Sequence, residues 1–150
     1  MRVLLQRVKN ASVAVDGTTI AQIGQGILLL VGITHTDTQA EIDFLADKAA
    51  NLRVFDDENG VMNRSVMDIQ GEILVVSQFT LYGDTRKGRR PSYIAAAPGD
   101  ISQPLFNIFV EKIKQISSLK VETGRFGADM KVSLLNDGPC TLILEKEHTA

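Results

Sequence analysis

The run ILLLVGI, Ile27 to Ile33, constrains the fold more than any other feature of the chain. It carries no charge and no polar alternation, so it reads as a strand buried on both faces. Its apolar stretch is far too short to cross a membrane. Gly24-Gln25-Gly26 breaks the pattern just before it. A strand of this kind needs apolar partners on each side, and the rest of the chain must supply them.

Strand patterns dominate. Arg2 to Val8 is one segment, and Ser12 to Val15 and Thr18 to Ile23 flank Asp16-Gly17, a strong hairpin signal. Thr38 with Glu41 three residues on forms a capping box that predicts a helix with Ile42, Leu45, Ala49 and Leu52 on its buried stripe. Asp56 to Gly60 is a loop, and Met62 to Met67 fits neither period. Gln70-Gly71 marks a turn, and Glu72 to Thr80 reads as a strand. A second helix is expected from about Gln103 to Ile116, with Pro104 in its first turn and Leu105, Phe109, Ile113 and Ile116 facing the core. Lys120 to Glu122, Lys131 to Leu135 and Cys140 to Glu145 close the chain as strands. The expectation is one α/β domain over residues 1–150: mixed, mostly antiparallel sheets forming a sandwich or partly closed barrel, with two main helices.

The 150 residues suit a single core, and 44% apolar content excludes a disordered chain. The net charge of −2 gives no global sign of nucleic-acid binding, which leaves only local basic patches. Cys140 is the one cysteine, so no internal disulfide forms. The opening MRVLLQRVKNASV has charges within its apolar run and no signal-peptide core, so a cytoplasmic location is expected. His35 and His148 are far apart, no Cys/His cluster or HExxH is present, and no metal or cofactor is expected. His148 reads as a solvated tail residue and His35 as a loop residue. No phosphate-binding glycine loop is present either.

Four stretches can carry chemistry. Ser77-Gln78-Phe79-Thr80 places two hydroxyls, an amide and an aromatic at a strand end. The plain reading is that Ser77 and Thr80 cap the strand and Phe79 fills the core. The sharper one is a site where strand-end amides stabilise an ester's oxyanion. A hydroxyl nucleophile there needs a base, and no base is visible. Arg86, Lys87, Arg89 and Arg90 form a basic run broken only by Gly88 and flanked by Tyr82 and Tyr93. Such runs are commonly solvated loops, and otherwise they pair with phosphates. Cys140, followed by leucines and an isoleucine, reads as a small core residue rather than a reactive thiol. Gly138-Pro139 stands between two strand segments. It is either a tight turn or a backbone element whose carbonyls approach a small substrate closely.

Ser77-Gln78-Phe79-Thr80-Leu81 and Asn136-Asp137-Gly138-Pro139-Cys140-Thr141 resemble the two signature motifs of the D-aminoacyl-tRNA deacylases, first described as D-tyrosyl-tRNA deacylases. MRVLLQRVKNASV with its hairpin and the loop GDTRKGRRPSY are similar as well, so the resemblance covers the whole chain. Cys140 departs from it, since valine or phenylalanine usually follows Gly-Pro. The resemblance implies a homodimer in which a cis Gly138-Pro139 enters the partner's active site. There it excludes L-aminoacyl groups and leaves achiral glycyl-tRNA as a further substrate. It implies catalysis at Ser77, Gln78, Phe79 and Thr80, with the Phe79 and Thr80 amides as oxyanion hole. The nucleophile is water assisted by the neighbouring ribose hydroxyl, or alternatively Thr80 itself. Arg7 is implied to brace the Gly-Pro motif and Asn136 and Thr141 to fix its backbone. Arg86, Lys87, Arg89 and Arg90 are implied tRNA contacts.

The expected function is therefore removal of D-amino acids from tRNA without a cofactor, by a protein not bound to membranes. Two rivals stand beside it. One is a non-catalytic RNA-binding module using the basic loop. The other is a small-molecule hydrolase with Thr80 or Cys140 as nucleophile.

Overall fold

Strand β3 (Gly26–Gly32) lies between two apolar cores, as its composition requires. The computed structural model describes residues 1–149. Ile27, Leu29 and Val31 face a core shared with helices α1 (Gln39–Asn51) and α2 (Gly99–Ser117), while Leu28 faces a second core. Strand β6 (Glu72–Ser77) runs parallel beside β3 and alternates in the same way. Ile73 and Val75 join the helical core, and Leu74 and Val76 join the second one.

Strand β1 (Arg2–Val15) is a single 14-residue element rather than the two expected segments. Lys9 remains in the strand as an extra residue between the pairs Val8↔Asn136 and Asn10↔Leu135. One inserted residue exchanges the two faces of a strand. Hence Val3 and Leu5 face the helical core, whereas Ala11, Val13 and Val15 face the second. Asp16 and Gly17 both have positive φ, as a two-residue hairpin turn requires, and lead into β2 (Thr18–Ile23).

The sheet order is β2-β1-β3-β6-β7, where β7 (Val121–Thr123) is parallel to β6. The last strand, β8 (Lys131–Glu145), pairs antiparallel with β1 along almost its whole length. The sheet curls toward closure. The Gly24 amide donates to Glu72 Oε1 at 2.6 Å, and Lys120 Nζ donates to the Gln22 carbonyl at 3.1 Å. A Cβ on Gly26 would lie 1.7 Å from the Glu72 carbonyl oxygen, so only glycine fits at that closure. The ambiguous Met62 to Met67 stretch contributes a short strand, β5 (Met62–Arg64), which pairs with β4 (Phe55–Asp56).

Helix α1 has both halves of its capping box. Burial pushes the Glu41 carboxyl up, but hydrogen bonds from the Thr38 side chain and backbone and from His148 outweigh it and hold it at about 2. His148 is thus not a free tail residue, because its Nδ1 lies 3.1 Å from Glu41 Oε1. Helix α2 starts at Gly99, earlier than expected, with Pro98 as its N-cap. Pro104 therefore falls in the second turn. The carbonyl it deprives of a partner belongs to exposed Asp100, which water can serve. Among the described residues no helix is long and apolar enough to cross a membrane.

Candidate active site

The expected strand from Glu72 to Thr80 ends at Ser77 instead. Gln78 still pairs with β3, its amide donating to the Val31 carbonyl at 2.8 Å, and the chain then tightens into a 3₁₀ turn over Phe79–Tyr82. The Leu81 amide donates to the Gln78 carbonyl at 3.2 Å, and that of Gly83 to the Thr80 carbonyl at 2.9 Å. The amides opening such a turn, those of Phe79 and Thr80, have no acceptor within it. Phe79 is 57% exposed, so the reading in which it fills the core is wrong.

The turn is anchored from behind. Arg2 Nη1 donates to the Leu81 carbonyl at 2.7 Å, and its guanidinium stands 4.4 Å from the Tyr82 ring centroid. Tyr82 is buried, and its hydroxyl has no hydrogen-bond partner. Burial and the nearby Asp37 carboxylate push its phenol well above the usual range. Tyr82 thus supports the turn and does not belong to the basic surface.

In front of the turn lies a cavity of about 370 Å³. Ser77, Gln78 and Phe79 form one wall, Val31 and Ile33 the floor, and Tyr93, Ala96, Ala97, Gly99, Ser102, Phe126 and Gly127 the remainder. Thr80 is not among the lining residues. Its Oγ1 accepts a short hydrogen bond from Gln78 Nε2. Among the described residues, no carboxylate, imidazole or amine is within hydrogen-bonding distance of that hydroxyl. The sequence reading missed the walls from Ala96 to Ser102 and from Phe126 to Gly127. The available signals were the small residues of AAAPG and the aromatic between two glycines in GRFG. Both suit a close-approach surface and neither has a helix or strand period.

Gly138 and Pro139 form a second cluster, on β8. Lys131 to Leu135 and Cys140 to Glu145 belong to this one strand, whose pairing with β1 is interrupted between them. Between the pairs Gln6↔Thr141 and Val8↔Asn136, Arg7 alone faces Asp137, Gly138, Pro139 and Cys140. The Gly138-Pro139 bond is cis, and Gly138 has φ 139°. Arg7 is buried beneath the bulge. Its Nε donates to the Asp137 carbonyl at 2.8 Å, and its Nη1 to the Val54 carbonyl at 2.6 Å. Asn136 Oδ1 accepts from the Cys140 amide at 2.7 Å, and Asn136 Nδ2 donates to Thr141 Oγ1 at 2.8 Å. Cys140 points into the helical core. Gly138 and Pro139 are exposed and do not line the cavity of their own chain.

The basic run forms a third group. Asp84 and Ser92 exchange two backbone hydrogen bonds, at 2.7 and 2.9 Å, and close the loop that carries it. Arg86 folds back on Asp84 through two side-chain contacts at 2.9 and 2.8 Å and holds that carboxyl at about 2. Lys87, Arg89 and Arg90 make no ion pair among the described residues and are exposed. No group of three His, Cys, Asp or Glu side chains that could hold a metal occurs among those residues.

The chain is similar to known proteins over almost its whole length. The model of the family described as D-Tyr-tRNA(Tyr) deacylase matches residues 4–145. A D-aminoacyl-tRNA deacylase of Brevibacillus brevis is 59% identical over 145 residues, 97% of this chain and 99% of its own. That of Thermosipho africanus is 57% identical over 147 residues, 98% of each chain. A solved chain described as c-Myc DNA Unwinding Element Binding Protein superposes with a TM-score of 0.93 at 44% identity, covering 99% of this chain and 100% of its own. A family match across nearly every residue, with relatives more than half identical end to end, makes this chain a member of the D-Tyr-tRNA(Tyr) deacylase family.

Proposed function

We propose that the chain hydrolyses the ester joining a D-amino acid to the terminal adenosine of tRNA and that it works as a homodimer. The deacylase names of its relatives support the reaction. The observation that carries the mechanism is a cavity walled by Ser77, Gln78 and Phe79 beside a turn whose first two amides, Phe79 and Thr80, have no acceptor within it.

In this reading the Phe79 and Thr80 amides receive the oxyanion as water adds to the ester carbonyl. The carbon–ribose oxygen bond then breaks, one proton of the water passes to the ribose oxygen, and the other is lost to solvent as the amino acid leaves as a carboxylate. The neighbouring ribose hydroxyl relays the first of these protons, which suits a site whose Thr80 hydroxyl has no base beside it. Gln78 orients Thr80 through their hydrogen bond. The reading in which Thr80 or Cys140 is a covalent nucleophile has less support, since Cys140 is buried in the core.

Chirality is assigned to Gly138 and Pro139 of the partner chain, whose carbonyls would clash with an L substituent. Arg7, Asn136 and Thr141 hold that bulge. A specificity set by rejection accepts many D side chains and lets achiral glycine pass. The dimer face is assigned to β8. Among the described residues its outer edge has no partner strand, and its Leu134, Leu135, Leu142 and Ile143 are 36–66% exposed. Lys87, Arg89 and Arg90 are assigned to tRNA phosphates, with Arg86 shaping the loop through Asp84.

One observation favours a second reading: the 44% identical solved chain is described as a DNA-binding protein. A non-catalytic nucleic-acid-binding module is therefore the rival. Single-turnover release of D-tyrosine from D-Tyr-tRNA separates the two. Release at enzyme excess, with the tRNA left intact, supports the esterase. Binding of tRNA with no release supports the module.

A further inference from the structure

Tyr93, which lines the cavity, and its neighbour Ile94 have no role in the chemistry described so far. Tyr93 meets Phe79 edge to face, with centroids 5.2 Å apart and planes at 71°, at the rim of the cavity. Tyr93 is 40% exposed and Ile94 is 85% exposed. Loose backbone does not account for this exposure. His35 Nε2–H donates to the Ile94 carbonyl at 2.8 Å, Thr34 Oγ1 donates to the Ala95 carbonyl, and Thr34 pairs with Ala96 as a β-bridge. Gly83 packs under the Tyr93 ring, where a Cβ would stand 3.0 Å from Cε1. The segment is thus pinned, yet it leaves part of the Tyr93 ring and almost all of the Ile94 side chain in water. Such surfaces mark contact sites.

Charge indicates the occupant. Tyr93 directly follows the Asp84–Ser92 bridge that closes the basic loop. Arg90 is three residues away, so their Cα atoms lie within about 11 Å. An aromatic step followed by unpaired cations is how proteins hold single-stranded nucleic acid, with bases stacked on rings and phosphates on arginine and lysine.

We infer that Tyr93 and Ile94 form a stacking platform for the unpaired nucleotides immediately 5′ of the terminal adenosine, whose phosphates run toward Arg89 and Arg90. The inference rests on the deacylase reading and extends the site from the cavity's Tyr93 side onto Ile94 and the basic loop. Base stacking on an aromatic contributes about 1–3 kcal/mol by alanine substitution, roughly 5- to 150-fold.

The test compares kcat/KM for D-tyrosyl-adenosine with that for a D-tyrosyl cytidyl-cytidyl-adenosine trinucleotide. The platform predicts that the wild-type protein prefers the trinucleotide by at least fivefold. Tyr93→Ala should bring that ratio close to one, and Tyr93→Phe should keep it. A second readout needs no variant. The chain has no tryptophan and its other tyrosine is buried, so a ligand that stacks on an exposed ring changes the emission of Tyr93 and not of Tyr82. Uncharged trinucleotide should quench it more than adenosine does at saturation. A wild-type ratio of one with equal quenching overturns the platform and is also what a second copy covering Tyr93 would produce. A ratio unchanged in Tyr93→Ala overturns it as well. In these cases cleavage of D-tyrosyl-adenosine leaves the deacylase reading standing, whereas no cleavage of any D-ester removes both.

Discussion

Replacing Gly138 by alanine tests how β8 presents its bulge. Two costs can be worked from the geometry. Gly138 has φ 139°, a region that L residues rarely adopt, which costs about 1–3 kcal/mol. The new Cβ would also lie 2.8 Å from Arg7 Nη2. That group is the end of a long side chain, but it is buried and tied to the Asp137 and Val54 carbonyls. Loosening one such charged hydrogen bond costs about 1.5–3 kcal/mol. The exposed bulge can relax in part, so about 3 kcal/mol is expected in total, or a Tm lower by roughly 6–12 °C at this chain length. Gly60→Ala serves as the control. Gly60 has φ 73° and nothing within 4 Å, so alanine there meets only the smaller cost of the left-handed helical region. Differential scanning calorimetry of both variants should show the larger loss at Gly138, where a more restricted φ and the Arg7 contact act together. Kinetics on D-Tyr-tRNA and L-Tyr-tRNA then read the gate, where Gly138→Ala should lose at least tenfold in the D/L ratio of kcat/KM. A Tm and a D/L ratio both equal to those of Gly60→Ala would refute the reasoning.

Three other outcomes are expected. Thr80→Ala should reduce kcat/KM less than tenfold under the proposed mechanism, in which the backbone amide and not the hydroxyl receives the charge; a fall to background in stopped-flow assays would favour a Thr80 nucleophile. Single alanine replacements of Lys87, Arg89 and Arg90 should each lower tRNA affinity and flatten the log-affinity against log-salt slope by about one, whereas Arg86→Ala, already paired with Asp84, should change that slope less. The Glu41 carboxyl is held at about 2 in the folded chain against an ordinary 4.5, so its stabilisation is complete above about pH 4.5 and is lost as pH falls toward 2. By linkage it amounts to roughly 3 kcal/mol at neutral pH. The Tm deficit of Glu41→Gln should accordingly be large at pH 7 and shrink by pH 3, and an equal deficit at both would rule out the linkage.

Most of the architecture was legible because hydrophobic period and turn chemistry act locally. ILLLVGI announced a strand buried on both faces, and Thr38 with Glu41 announced a helix start. Asp16-Gly17 announced a hairpin that bends with two positive φ values. What was not legible depends on distant partners. The strand ending at Ser77 rather than Thr80 follows from the 3₁₀ turn, which Arg2 holds from the other end of the chain. Lys9 and the Gly138-Pro139 stretch looked like interruptions, but β1 and β8 carry them as bulges in continuous strands. The two signature motifs could be recognised, and the structure gives them different places. Ser77, Gln78 and Phe79 line the cavity, while Gly138 and Pro139 stand outside it in their own chain. The cavity's far wall comes from Ala96, Ala97, Gly99, Ser102 and Gly127, small residues whose value is the space they leave, and from Phe126 set between two glycines. Periodicity does not register such residues.

The central claim is that this fold removes D-amino acids from tRNA and refuses L-amino acids. Parallel deacylation of D-Tyr-tRNA and L-Tyr-tRNA by the purified protein, under identical conditions, tests it most directly. The account predicts rapid cleavage of the D-ester with the L-ester hydrolysed no faster than in buffer. Equal cleavage of both would keep the oxyanion site and remove the role given to Gly138 and Pro139. Cleavage of neither, with tRNA still bound, would contradict the account altogether.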